Sequence, residues 1–112
     1  MIQITSQMKI FVCITPIDFR HGMDRLKEYC KTKLKEDPYS GALFVSKNKL
    51  NCSLKILAYD GEAFWLCQRR LSSGKMTYWP NDRLITPKEL QVLIMNGNPT
   101  TSKFSDDWKR LI

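Results

Sequence analysis

An α+β fold is predicted by three features of the chain: an apolar run near the N-terminus that lacks alternation, a helical stripe directly after it, and a series of β-rich runs separated by turn signals. The expected architecture is a small antiparallel sheet of about four to five strands packed by two main helices. One α+β domain over residues 8–97 is expected, with residues 1–7 as a flexible N-terminal arm and residues 98–112 as a C-terminal tail.

The first run, KIFVCIT over residues 9–15, is apolar on both faces, as in a strand covered on both sides, and Pro16 ends it. Over residues 23–35, Met23, Leu26, Tyr29, Cys30 and Leu34 fall on one stripe, which predicts an amphipathic helix. Asp24/Lys27 and Glu28/Lys31 are spaced for i,i+3 ion pairs along it. Asp37-Pro38 stops the helix, because a residue before proline avoids the α region. Four strands are then expected, over residues 42–47, 54–59, 63–70 and 76–79, and the N-terminal strand is expected to join the same sheet. Asp60-Gly61 signals a type I′ hairpin turn and Ser72-Ser73-Gly74 a longer one, while residues 47–51 read as a polar, basic, exposed loop. The second helix, over residues 87–96, has the clearest start. Thr86 caps it, Pro87 takes its first position, Glu89 completes a capping box, and Ile85 with Leu90 makes a hydrophobic staple. Gly97 is placed to close it in left-handed geometry. In the tail, Trp108 is the residue best suited to dock.

A chain of 112 residues with 43% hydrophobic and 26% charged residues can build one core without staples. The net charge of +7 is less ordinary and favours a polyanionic partner, such as DNA, or an acidic protein surface. No dense polybasic tail carries that charge, so a binding face must be assembled by folding. The cysteines Cys13, Cys30, Cys52 and Cys67 are far apart and mostly lie in apolar settings, so reduced thiols in a cytoplasm are expected rather than a disulfide framework. With a single His and scattered Cys, neither zinc nor another cofactor is expected. No signal peptide or membrane-spanning run is visible in the sequence.

Two kinds of chemistry compete. Basic residues interleave with aromatics through the middle of the chain, which suits nucleic acid. Arg20, Arg25, Lys47, Lys49, Lys55, Arg69 and Arg70 are the candidates for phosphate contact, with Tyr59 and Trp65 for base stacking. Arg69 and Arg70 point to opposite faces of a strand, so one surface can use only one of them. For the aromatics, packing within the sheet is the stronger expectation. A metal or acid–base cluster would need Asp18, His21 and Asp24 to converge, with Asp60 added. Local roles suit these residues better: Asp18 and Arg20 stand where a strand hands over to a helix, and Asp60 belongs to its turn. A non-enzymatic protein is therefore expected.

The chain also resembles a known family. The matching blocks are Asp18-Phe19-Arg20-His21-Gly22-Met23-Asp24-Arg25-Leu26, then Asp37-Pro38-Tyr39-Ser40-Gly41 running into Leu43-Phe44-Val45. They continue with Leu54-Lys55-Ile56-Leu57-Ala58-Tyr59-Asp60-Gly61, Phe64-Trp65-Leu66, Arg69-Arg70-Leu71, Gly74 and Tyr78-Trp79-Pro80, and then Leu84-Ile85-Thr86, Glu89-Leu90 and Gly97. In this ordered series the chain is similar to the small TnpB-type accessory protein of bacterial insertion-sequence elements of family sixty-six, the product of the element's second reading frame. The family usually carries Lys or Arg where His21 stands. The resemblance implies an accessory role in DNA transposition beside a separate transposase, and it implies no catalytic residues. DNA is the expected partner, alone or together with the transposase or another element-encoded protein, and a pure protein adaptor without DNA contact is the alternative. A small metal-dependent nuclease ranks third.

Overall fold

The structure, a computed structural model, describes residue 5 and residues 7–95. Most of the expected arm, the closing Gly97, the tail with Trp108, and the side chain of His21 lie outside the described residues.

Strand β1 (Ile10–Val12) leads through a 3-10 turn (Phe19–His21) into helix α1 (Gly22–Thr32). Strands β2 (Leu43–Lys47), β3 (Ser53–Tyr59), β4 (Phe64–Arg70) and β5 (Leu84–Ile85) follow, and helix α2 (Pro87–Ile94) comes last. The strands form one five-stranded sheet in the order β4-β3-β2-β1-β5, so the α+β expectation holds. One pair departs from it: β1 and β2 run parallel, with Ile10 opposite Leu43 and Val12 opposite Val45. Parallel neighbours need a crossover connection, and α1 makes it over one face of the sheet.

Both faces are covered. Ile10, Val12, Leu43, Val45 and Ile56 meet Leu90 and Leu93 of α2 on one face. Phe11, Cys13, Phe44 and Leu57 meet Leu26 and Cys30 of α1, and Leu34 just beyond it, on the other. The central strands β1 and β2 are thus buried on both sides, which explains runs without alternation. Phe11 and Phe44 stack across them with ring centroids 5.5 Å apart.

The helix ends follow local chemistry. α1 stops at Thr32, earlier than the stripe predicts, because Lys35 takes a left-handed φ of 56° and the Glu36 N–H turns back to the Cys30 carbonyl at 2.9 Å. In α2 the capping box is complete: the Thr86 hydroxyl accepts from the Glu89 N–H, and the Glu89 carboxylate accepts from the Thr86 N–H, both at 3.1 Å. Ile85 and Leu90, the staple pair, are buried in the same cluster.

Three local expectations are corrected. Residues 76–79 form no strand. The chain must travel from β4 at one edge of the sheet to β5 at the other, and a segment crossing the strands cannot hydrogen-bond along them. It instead lays Met76, Tyr78 and Trp79 over the α2 face, with the Trp79 indole N–H donating to the Cys13 carbonyl at 3.1 Å. The β3–β4 turn is not type I′. Its central residues are Gly61 and Glu62, and only Gly61 has a positive φ, at 99°. Asp60 stays at the turn's first position, where its carboxylate accepts from the N–H groups of Glu62 and Ala63 at 2.9 and 2.8 Å. Finally, Lys27 turns from Asp24 to aromatic rings, its ammonium lying 4.5 Å from the Phe64 centroid and 5.4 Å from that of Tyr39.

Candidate nucleic-acid interface

The β2–β3 connection is a built turn. The Asn48 side-chain oxygen accepts from the backbone N–H groups of Cys52 and Ser53 at 3.1 and 3.2 Å, and its amide nitrogen reaches the Cys52 sulfur at 3.3 Å. Asn51 takes a left-handed φ of 57°, a conformation asparagine tolerates well. Lys49 and Leu50 are held outward at the tip, and Leu50 is 66% exposed.

Other segments converge on this end of the sheet. The Ile17 N–H donates to the Lys47 carbonyl at 2.9 Å, which brings the 3-10 turn against the end of β2. The Leu71 and Met76 N–H groups donate to the carbonyls of Cys52 and Asn51 at 2.8 and 2.6 Å, which brings the chain after β4 to the same tip. Arg69 stands opposite Leu54 and Arg70 opposite Ser53, at the start of β3. Arg20, Lys47, Lys49, Arg69, Arg70 and Lys75 therefore share one end of the sheet, and α1 starts there with Arg25 exposed in its first turn. Arg69 and Arg70 still occupy opposite faces, so they flank the end rather than form one patch.

Between the tip and the 3-10 turn lies an open groove of about 410 Å³. Ile17, Phe19 and Leu50 supply its apolar lining, and Arg20, Lys49, Asn48 and Asp18 its polar one. The acid there is already engaged. The Arg20 guanidinium clasps the Asp18 carboxylate through Nε at 3.0 Å and Nη2 at 2.8 Å, yet the Arg20 side chain is 86% exposed. The hydrogen bond to Asp18 pushes the Arg20 pKa further up, so its charge is permanent. Lys47 is half-buried, its ammonium 5.5 Å from the Trp79 ring centroid.

Two of the sequence candidates are taken up by contacts within the fold. Lys55 is only 7% exposed: its ammonium donates to the Phe19 carbonyl at 3.2 Å and sits 4.5 Å from the Phe19 ring centroid. It shares its face of β3 with the buried Leu57, and the 3-10 turn covers that face. Tyr59 packs with Tyr39 and Phe64, each pair of ring centroids 4.9 Å apart, so its ring is not free to stack on a base. Trp65 is 42% exposed, but its indole N–H donates to Asp60 at 2.7 Å. It belongs to the opposite end of β4, about 17 Å from Arg70 at the usual rise per residue. Asp60 itself is held below the usual carboxylate range by the Ala63 N–H and then by the Trp65 indole. Among the described residues, no group of three or more His, Cys, Asp or Glu is placed to hold a metal ion.

Leu50 and Lys75 were not among the sequence candidates. The available signal was a large apolar residue within a loop read as polar and exposed.

A model of the family described as IS66 Orf2-like protein matches residues 8–103. The chain belongs to the IS66 Orf2-like family. Curated relatives include the uncharacterized protein y4jC of Sinorhizobium fredii, 33% identical over 90 residues that cover 78% of this chain and 77% of the relative. A second, the uncharacterized protein y4hO of the same organism, is 27% identical over 93 residues, covering 80% of each chain. No solved structure matches the chain. Membership in the IS66 Orf2-like family implies an accessory role in transposition of IS66 elements. Among the described residues, no helix is long and apolar enough to cross a membrane.

Proposed function

We propose that this IS66 Orf2-like protein serves transposition by binding duplex DNA through the cationic end of its sheet, without cleaving it. The observation that carries the reading is convergence. Arg20, Lys47, Lys49, Arg69, Arg70 and Lys75 come from separate stretches of sequence, yet the hydrogen bonds and strand register put them at one end. Several fixed cations on one protruding end can neutralise phosphates of one duplex and release its counterions. The non-catalytic part of the reading draws on Asp18 and Asp60, whose carboxylates serve an arginine clasp and a hairpin turn. A role as general base or metal ligand would require breaking those contacts.

The test is an anisotropy titration against element-end and unrelated duplexes over a range of salt. Expected are binding that weakens steeply with salt and a preference for the element ends. Absence of binding at low salt overturns the reading. The alternative is an adaptor that holds the transposase or another element-encoded protein. It is favoured by β4, a seven-residue outer strand with no further strand beside it among the described residues. Capture of the transposase by a protein that ignores DNA would establish it.

A further inference from the structure

We propose that Leu50 is an apolar wedge that enters the minor groove between two base pairs and kinks the duplex. This rests on the DNA-binding reading and adds a mechanical function to it.

Four observations combine. Among the described residues Leu50 is the most exposed of the large hydrophobic side chains, at 66%, and it stands at the tip of a turn. That turn is stiff, because the Asn48 side chain ties two backbone N–H groups of its far arm and Asn51 supplies the left-handed residue. Lys49 adjoins Leu50, and Arg20 lies across the groove from it. The groove itself, about 410 Å³ with Ile17 and Phe19 in its wall, borders the wedge with an apolar surface and a cationic rim. Stiffness matters because a wedge must transmit force to the base step rather than fold away. Cations on both sides matter because they hold phosphates while the step unstacks.

Proteins that bend DNA offset the unstacking by bringing more duplex into contact. Here Arg69, Arg70 and Lys75 share one end of the sheet with the tip. A minor-groove wedge bends the duplex toward the major groove, away from the tip, and the phosphates flanking the opened step are met by Lys49 and Arg20 on either side of Leu50. A single exposed leucine is common on protein surfaces and needs no explanation alone. A rigid apolar tip at the centre of the basic end is a different case, and charge selects a polyanion as its occupant over an apolar protein pocket.

The experiment uses the full chain and a short duplex carrying a donor and acceptor dye at its ends, with 2-aminopurine at the centre. Wild type is expected to raise energy transfer and to brighten the 2-aminopurine several-fold on binding. Leu50→Ala is expected to bind at low salt with the same salt slope, but with little change in either signal. Leu50→Met, which keeps an apolar tip, is expected to restore both. The side chain is exposed, so all variants should melt within a degree or two of wild type. Binding without bending, or equal bending by Leu50→Ala, overturns the wedge and leaves the DNA reading intact. No duplex binding by wild type overturns both, and loss of transposase capture by Leu50→Ala would then assign the tip to a protein partner.

Discussion

Lys55 and Arg70 look alike in the sequence, as basic residues on neighbouring strands, yet the fold gives them opposite tasks. Lys55 runs under the 3-10 turn and ends at the Phe19 carbonyl, whereas Arg70 is exposed at the mouth of the sheet. Lys55→Ala removes the buried stem, the ring contact and a charged hydrogen bond, and should cost about 1–3 kcal/mol in urea unfolding. Its DNA salt slope should stay at the wild-type value. Arg70→Ala should behave in the reverse way, with stability unchanged and the salt slope lower by about one. The cysteines divide similarly. Burial pushes the Cys30 thiol up to about 12 and raises that of Cys13 as well, while the Asn48 amide lowers that of Cys52. Above pH 9.0, the ordinary thiol value, an unfolded Cys30 loses its proton and the folded one keeps it. Its contribution to stability is therefore complete below that pH and is lost as pH rises toward about 12. Urea midpoints across this range should fall more steeply for wild type than for Cys30→Ala. Iodoacetamide under native conditions should label Cys52 and spare Cys13 and Cys30, as read by mass spectrometry.

At the scale of elements, ends proved more informative than middles. The capping box, the staple and the Pro87 start of α2 were all legible because each rests on residues within a few positions of one another. Thr86→Ala should cost about 1 kcal/mol of stability, measured by denaturant titration, with no change in DNA affinity. The hairpin at Asp60 was located correctly but shifted by one residue. The carboxylate's bonds to Glu62 and Ala63 outweighed the positive-φ preference that the Asp-Gly pair suggests. The segment over residues 76–79 shows why β propensity misleads. Tyr78 and Trp79 fit a pleated surface equally well as members of a strand or as a cover laid across one, and the route from β4 to β5 chose the cover.

Over the whole molecule, the position of charge matters more than its sum. The parallel β1–α1–β2 unit sends α1 back along the sheet, so Arg25 begins it near the cationic end and Lys33 follows its far end. Lys49→Glu and Lys33→Glu change net charge equally. Anisotropy titrations should show a large loss of duplex affinity for Lys49→Glu and a small, uniform one for Lys33→Glu. Equal losses would mean that binding follows net charge alone and that no defined end exists.

The fold class, both helices, four of the five strands and the capped start of α2 were readable from periodicity and turn chemistry, because those signals act over a few neighbouring residues. The ordered blocks likewise placed the chain in its family without any coordinates. The parallel pairing of β1 with β2, the burial of Lys55, and the gathering of cations around Leu50 were not readable. Each depends on contacts between segments tens of residues apart, such as Ile17 with Lys47 and Lys55 with Phe19, which strand order and register create. Local sequence carries no record of which of its outward-facing side chains another segment will cover.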